Sequence, residues 1–171
     1  MIRNEAELSA MLSTYLQMAV DNTLQIALDK LLDIIEKEVY SYNATWTNGY
    51  NGEPGRTHEF YESWSKTKAS LKKSFAGTAV EGSILQELPL QWHEPFSHGS
   101  IVEGGTIQNN QLNQIINEGL KESHLNFPAI EARPFWDEFE KWCNKNLIDT
   151  FKTECSKVGI DLSTVHGSFT I

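Results

Sequence analysis

Apolar residues recur at helical spacing over residues 5–40, a segment without Gly or Pro, so we predict a long N-terminal helix within 1–40. The apolar side changes direction partway, and the two stripes lie about 150° apart. The first stripe comprises Leu8, Met11, Leu12, Tyr15, Leu16 and Ala19, and the second Leu24, Leu28, Leu31, Leu32, Ile35 and Val39. Two interpretations stay open. The helix breaks at the capping residues Asp21-Asn22-Thr23, or it continues and its halves face different partners, its own domain and a neighbouring subunit.

The pattern changes after residue 40, first to an aromatic loop and then to short β-like runs. Residues 41–56 are rich in turn residues, and Tyr42, Trp46 and Tyr50 lie either on the domain surface or in a contact loop for a neighbour. Between residues 57 and 107, alternating apolar and polar positions predict three or four antiparallel strands. Hairpin turns are predicted at Gly77, Gly82 and Gly104-Gly105.

Two further helices are predicted in the second half of the chain. A short one covers 108–119 and ends at Gly119, and a long one covers 134–158, with Pro134 in its first turn and Gly159 after its end. The long helix carries an apolar stripe of Trp136, Phe139, Cys143, Leu147, Phe151, Cys155 and Val158. The tail, 160–171, is polar and β-capable. No linker or repeat divides the sequence, which indicates a single domain over 1–171.

The charge and the cysteines narrow the function classes. The net charge is −9 and the pI about 5.0, which disfavours general nucleic-acid binding. The one basic cluster, Lys66, Lys68, Lys72 and Lys73, is typical of a solvated strand face. No apolar run reaches the length of a membrane span, and the N-terminus lacks the order of a signal peptide, so we expect a cytoplasmic protein. Two cysteines on one helix, about 18 Å apart, cannot form a disulfide.

The sequence offers little that could carry catalysis. His93, Glu94 and His98 are the best metal candidates, but their spacing matches no ligand pattern and surface residues are the more common interpretation. There is no phosphate-binding loop or nucleophile elbow, and buried helical thiols disfavour a cysteine nucleophile. We therefore expect no enzyme activity, no cofactor and no metal.

Three segments, in order, resemble a family of tailed-bacteriophage neck proteins, the tail-completion or head–tail joining proteins. The first runs from Glu38-Val39-Tyr40 through Tyr50 and Arg56-Thr57 to Phe60-Tyr61-Glu62-Ser63-Trp64. The second pairs His98-Gly99-Ser100 with Ile115-Ile116-Asn117-Glu118-Gly119, and the third is Ala132-Arg133-Pro134-Phe135-Trp136-Asp137. The insertion of residues 51–55 before Arg56 departs from the family pattern. Arg56 and Arg133 are rare cations in an acidic chain, so pairing with a carboxylate such as Glu118 is an expectation.

The resemblance implies an α+β fold, with a long N-terminal helix and a C-terminal helix packed on a small antiparallel sheet. It also implies a hexameric or dodecameric ring in the virion neck, assembled in the host cytoplasm. Such a ring would lie between the connector or head-completion protein and the tail tube or tail terminator protein, and DNA would pass its acidic channel without sequence-specific binding. The alternatives are a tail terminator or minor capsid component and, in another class, a small acidic immunity-type module.

Overall fold

A computed structural model describes residues 4–40, 59–74, 77–87, 109–119 and 132–162. Its elements are α1 (Glu5–Ile35) with a π-helical extension (Glu36–Tyr40), α2 (Glu59–Glu62), β1 (Trp64–Lys66), β2 (Ser70–Ser74), β3 (Gly77–Glu81), β4 (Ile84–Gln86), α3 (Asn109–Glu118) and α4 (Phe135–Lys157). The predicted α+β class is confirmed, with a long N-terminal helix, a C-terminal helix and short antiparallel strands.

Contacts divide the chain into two compact units. The described residues of the first unit are 4–30, 66–74, 77–85 and 140–162, and those of the second are 31–40, 59–65, 86–87, 109–119 and 132–139. Each unit therefore contains a part of α1 and a part of α4. The prediction of a single domain stays a prediction.

The first helix is continuous, so of the two interpretations that the sequence left open, the break at Asp21-Asn22-Thr23 is wrong. Asn4 caps its first turn by accepting a hydrogen bond from the backbone N–H of Glu7 at 2.9 Å. The three possible capping residues have other partners. Asp21 accepts a hydrogen bond from Lys66, Asn22 donates one to Glu154, and Thr23 donates one to the carbonyl of Ala19. The second predicted stripe is largely buried, including Leu28, Leu31, Ile35 and Val39.

The four strands form two separate sheets of two strands each. In the first unit, β2 pairs antiparallel with β3, from Ser70 opposite Glu81 to Ser74 opposite Gly77. The other sheet pairs β1 with β4. The Thr67–Ser83 hydrogen bond and the Ser70–Glu81 pair enclose unequal lengths of chain. From Thr67 to Ser70, the outgoing side, the chain advances three residues, and from Glu81 to Ser83, the returning side, it advances two. The outgoing side therefore carries one extra residue, as in a β-bulge.

The extra residue in the outgoing strand is bound by α1. Ala69 is buried, and its N–H donates to Oδ1 of Asp21 at 3.2 Å. Lys66 Nζ donates to the same oxygen at 2.7 Å. Both hydrogen bonds lower the pKa of Asp21 below its ordinary value of 3.8, and the bond from Lys66 has the larger effect. A carboxylate on the helix thus satisfies the backbone group that the ladder leaves unpaired.

Gly82 is not the predicted hairpin turn, because the strands on either side of it belong to different sheets. A Cβ at this position would overlap the Cδ1 of Leu24 on α1. The glycine is therefore explained by the close approach of a helix side chain to the backbone, both within the first unit. Gly77, where a turn was also predicted, is the first residue of β3.

The end of α4 has the predicted glycine stop. Gly159 has a φ of 83°, its N–H donates to Ser156, and the N–H of Ile160 donates to Cys155. These two bonds form a Schellman motif. Cys143 and Cys155 are buried free thiols, as predicted. Glu154, which interrupts the apolar stripe, is buried and accepts from Asn22 and from Lys157.

Candidate interface and motif site

The aromatic residues of two predicted motifs meet in the second unit. Phe135 has no exposed surface, and its ring lies 5.3 Å from Phe60 and 6.4 Å from Trp64 between centroids, both edge-on. Trp64 stacks on Trp136 at 5.9 Å with 21° between the planes. Phe139 lies 5.5 Å from Trp136. We call Phe60, Trp64, Phe135, Trp136 and Phe139 the aromatic cluster. Phe135, a residue of the third motif segment, is therefore a core residue.

Arg133 caps the end of the N-terminal helix. Its Nη1 donates to the carbonyl oxygen of Val39 at 3.1 Å, and Val39 lies in the last turn of the π-helical extension. The last carbonyls of a helix have no partner within it and carry partial negative charge, so a guanidinium is a suitable ligand. The backbone N–H of Arg133 donates to the carbonyl of Ile116 at 2.8 Å. One residue therefore connects helix 5–40 with α3.

Asn117 caps the beginning of α4. Its Oδ1 accepts from the N–H of Trp136 at 3.0 Å, and its Nδ2 donates to Oδ1 of Asp137 at 2.9 Å. The first N–H groups of a helix lack intrahelical acceptors, and here the acceptor comes from a different helix. Pro134 was predicted inside the first turn, but its carbonyl accepts from Glu138, and the helix begins one residue later. It therefore occupies the flanking N-cap position.

The remaining predicted site residues have different roles or lie outside the described ranges. Gly119 has a φ of 77° and follows the end of α3, as predicted. The side chain of Glu118 accepts from Gln114 at 3.1 Å in place of the expected arginine. Tyr40, at the end of the π-helical extension, is half-buried. Tyr50, Arg56 and Thr57 lie outside the described residues.

A polar chain beside the aromatic cluster has no counterpart in the predictions. Asn113 donates to Gln86, Gln86 donates to the hydroxyl of Ser63, and that hydroxyl donates to the carbonyl of Phe60, at 2.8, 3.1 and 2.8 Å. Nothing local in the sequence marks Gln86 or Asn113, because their partners are distant along the chain. The indole N–H of Trp64 and Oδ1 of Asn113 are buried without a hydrogen-bond partner.

The described residues offer no arrangement for metal or thiolate chemistry. None of them form a group of three or more metal-ligating side chains, and His93, Glu94 and His98 lie outside the described ranges. Burial, with a smaller effect from Glu140, raises the pKa of Cys143 to about 11. Burial also raises the pKa of Cys155. Among the described helices, none is long and apolar enough to cross a membrane.

Comparisons with protein families, with curated proteins and with solved structures found no match to this chain. The resemblance to the phage neck family therefore depends on the motif residues alone. Trp64, Asn117, Arg133, Phe135 and Trp136 come from segments that are far apart in the sequence, and the fold brings them together. Their contacts are packing and helix capping.

Proposed function

We propose that this chain is a structural protein of a tailed-phage particle, a subunit of the neck ring between the head connector and the tail. The observation that supports the proposal is the gathering of the motif residues around the start of α4. Arg133 and Asn117 cap two helices, and Trp64, Phe135 and Trp136 pack together. A family of structural proteins is expected to share the residues that stabilise its common fold, and the motif residues have that role here.

Exposed apolar residues on the N-terminal half of α1 support self-association. Leu8 and Leu12 are 39% and 40% exposed, and both belong to the stripe that the sequence pattern assigned to a neighbouring subunit or to the chain's own domain. Monomeric proteins rarely leave apolar rows uncovered on a helix, and a closed ring of identical copies would cover them. A hexamer or dodecamer is the expected assembly.

The net charge of −9 suits a ring through which DNA passes. A negative channel wall repels the phosphate backbone, so that DNA slides without being held. The chain would then need no base-reading residues and no cofactor.

Electron microscopy of phage particles carrying a tagged chain tests the proposal. We expect the tag at the neck, and we expect full heads and separate tails when the gene is deleted. A tag at the tail end of the tube or on the capsid would favour a tail terminator or a minor capsid role. Normal particles from the deletion strain would contradict a joining function. The matched control is the same tag on a known capsid protein.

A further inference from the structure

A buried hydrogen-bond donor and a buried acceptor of the second unit have no partner among the residues that the structure describes. The donor is the indole N–H of Trp64, which is 9% exposed, and the acceptor is Oδ1 of Asn113 on α3. An indole N–H can only donate and an amide oxygen can only accept, so the two needs are complementary. Buried polar groups in native proteins are nearly always hydrogen-bonded, because an unmet group has lost its hydration without compensation. Each of these atoms therefore requires a partner.

Both atoms belong to neighbours of the Gln86 side chain. The hydrogen bonds that flank β1 and β4 make these strands antiparallel and place Trp64 directly opposite Gln86. This is a pair without backbone hydrogen bonds between its members, in which opposite side chains share a face and their Cβ atoms lie about 4.5–5.5 Å apart. From α3, Asn113 donates to Oε1 of Gln86 at 2.8 Å. Trp64 and Asn113 are therefore both adjacent to Gln86.

The hydrogen bonds around Gln86 run in one direction. Asn113 donates to Gln86, Gln86 donates to Ser63, and the hydroxyl of Ser63 donates to the carbonyl of Phe60. The last acceptor is a backbone carbonyl, whereas the oxygen of the first amide, Asn113, still needs a donor. A donor bound to that oxygen would polarise the amide and strengthen the bonds that follow it. The indole of Trp64 is a donor with the matching need.

We propose that one bound water joins these two atoms, accepting from the indole N–H of Trp64 and donating to Oδ1 of Asn113. The two atoms are not bonded to each other, and a water spans a polar gap of this kind. The side chains stacked on or edge-on to Trp64, which are Phe60, Phe135 and Trp136, carry no acceptor oxygen. A water both accepts and donates, and buried waters typically bind otherwise unmet polar groups. The bound water would connect β1 with α3.

Nuclear magnetic resonance of the full chain tests for the water directly. The chain has five tryptophans, and Trp64→Phe identifies the indole proton of Trp64, because it removes that one signal and keeps an aromatic ring. We expect this proton to show a nuclear Overhauser contact with a water that stays bound for longer than the molecule takes to tumble. The matched control is Trp142→Phe on α4, where the side chain is half-buried, and it should leave the contact unchanged.

Two substitutions at Asn113 separate a bridging water from one that binds Trp64 alone. Asn113→Leu keeps the approximate size and removes the acceptor, so the water contact should be lost. The indole proton of Trp64 should then exchange with solvent about tenfold faster, as expected when one hydrogen bond is lost. Asn113→Asp keeps an acceptor oxygen, so the contact should persist. Both variants keep Trp64, so they test the bridge even if Trp64→Phe does not fold, and circular dichroism checks the fold of each.

A double-mutant cycle of Trp64→Phe and Asn113→Leu measures the same link by urea unfolding. The two effects on the unfolding equilibrium constant should be coupled by more than about threefold, because effects at independent sites multiply to within about twofold.

Three results would overturn the inference. An indole proton of Trp64 that contacts a protein oxygen and no water would show that its partner belongs to the chain. A water contact that is the same in Asn113→Leu as in the wild type would show that the water does not bridge. Uncoupled effects in the cycle would lead to the same conclusion. The inference concerns the interior of the second unit, so its failure would leave the neck role standing.

Discussion

Replacing Phe135 with alanine tests whether the motif at the start of α4 is structural. The side chain has no exposed surface and contacts the rings of Phe60, Trp64 and Trp136 at 5.3, 6.4 and 6.3 Å. Truncation of a buried phenylalanine costs about 3–5 kcal/mol, because apolar surface is lost and a cavity remains. Edge-on ring pairs contribute about 0.5–1.5 kcal/mol each within that cost. A domain of ordinary stability, about 5–15 kcal/mol, would lose a large part of it.

Urea unfolding, followed by circular dichroism and by tryptophan fluorescence, measures the loss. In a separate thermal unfolding experiment, the melting temperature of a chain of this length should fall by about 6–20 °C, at about 2–4 °C per kcal/mol. Phe135→Leu should be milder, because most of the apolar volume stays. All measurements need one protein concentration, because self-association would add to apparent stability.

The matched control is Phe151→Ala on the same helix, where the side chain is only half-buried. The free energy of unfolding should fall clearly less in Phe151→Ala than in Phe135→Ala. Equal stability of the wild type and Phe135→Ala, together with loss of assembly, would refute our reasoning. It would mean that Phe135 acts in an interface and that its burial contributes nothing to the fold.

Three further predictions concern single side chains. Asp21→Asn should lower the urea midpoint at pH 7. The difference should disappear progressively as the pH falls below 3.8, because the pKa of the folded carboxyl is lowered and the carboxylate loses its stabilising charge as the pH falls through that lowered pKa. Asn117→Ala should cost about 1–2 kcal/mol in urea unfolding, because the N–H of Trp136 loses its acceptor. At pH 8, Cys143, with a pKa of about 11, should have a thiolate fraction about 100-fold smaller than a thiol of pKa 9. Because a thiolate of higher pKa is more nucleophilic, its reaction with a disulfide reagent should be about tenfold slower.

Each of these predictions has a control within the chain. For Asp21, the control is Asp29→Asn at an exposed position of α1, which should leave the urea midpoint at pH 7 nearly unchanged. For Asn117, it is Asn144→Ala at an exposed position of α4, which should be nearly neutral. For Cys143, it is a thiol introduced at the exposed Ser156, which should react rapidly. A stability difference for Asp21→Asn that does not shrink at all as the pH falls below 3.8, or rapid labelling of the native cysteines, would contradict the pKa assignments.

The helices could be predicted because their signals are local. Apolar spacing marks α1 and α4, and Gly119 and Gly159 mark two helix ends by their positive φ. Each signal lies within a few residues of the feature that it predicts, so no tertiary information was needed.

The joints between elements could not be predicted, because their partners are distant in sequence. Asp21 looks like a capping residue, but Lys66 and Ala69 occupy its carboxylate. Gly82 looks like a turn, but Leu24 fills the space where a Cβ would be. Asn117 caps a helix that begins far along the chain. In each case a tertiary contact overrides a local preference, and single-sequence patterns carry no record of it.

The bonds from Asn117 and Arg133 have a practical consequence for genetic engineering. They tie the end of α3 to the beginning of α4, so both ends of the intervening segment, 120–131, are anchored by the residues beside it. A variant at Asn117 or Arg133 would therefore disturb the ends of two helices at once, and tagged versions of the chain should keep both residues.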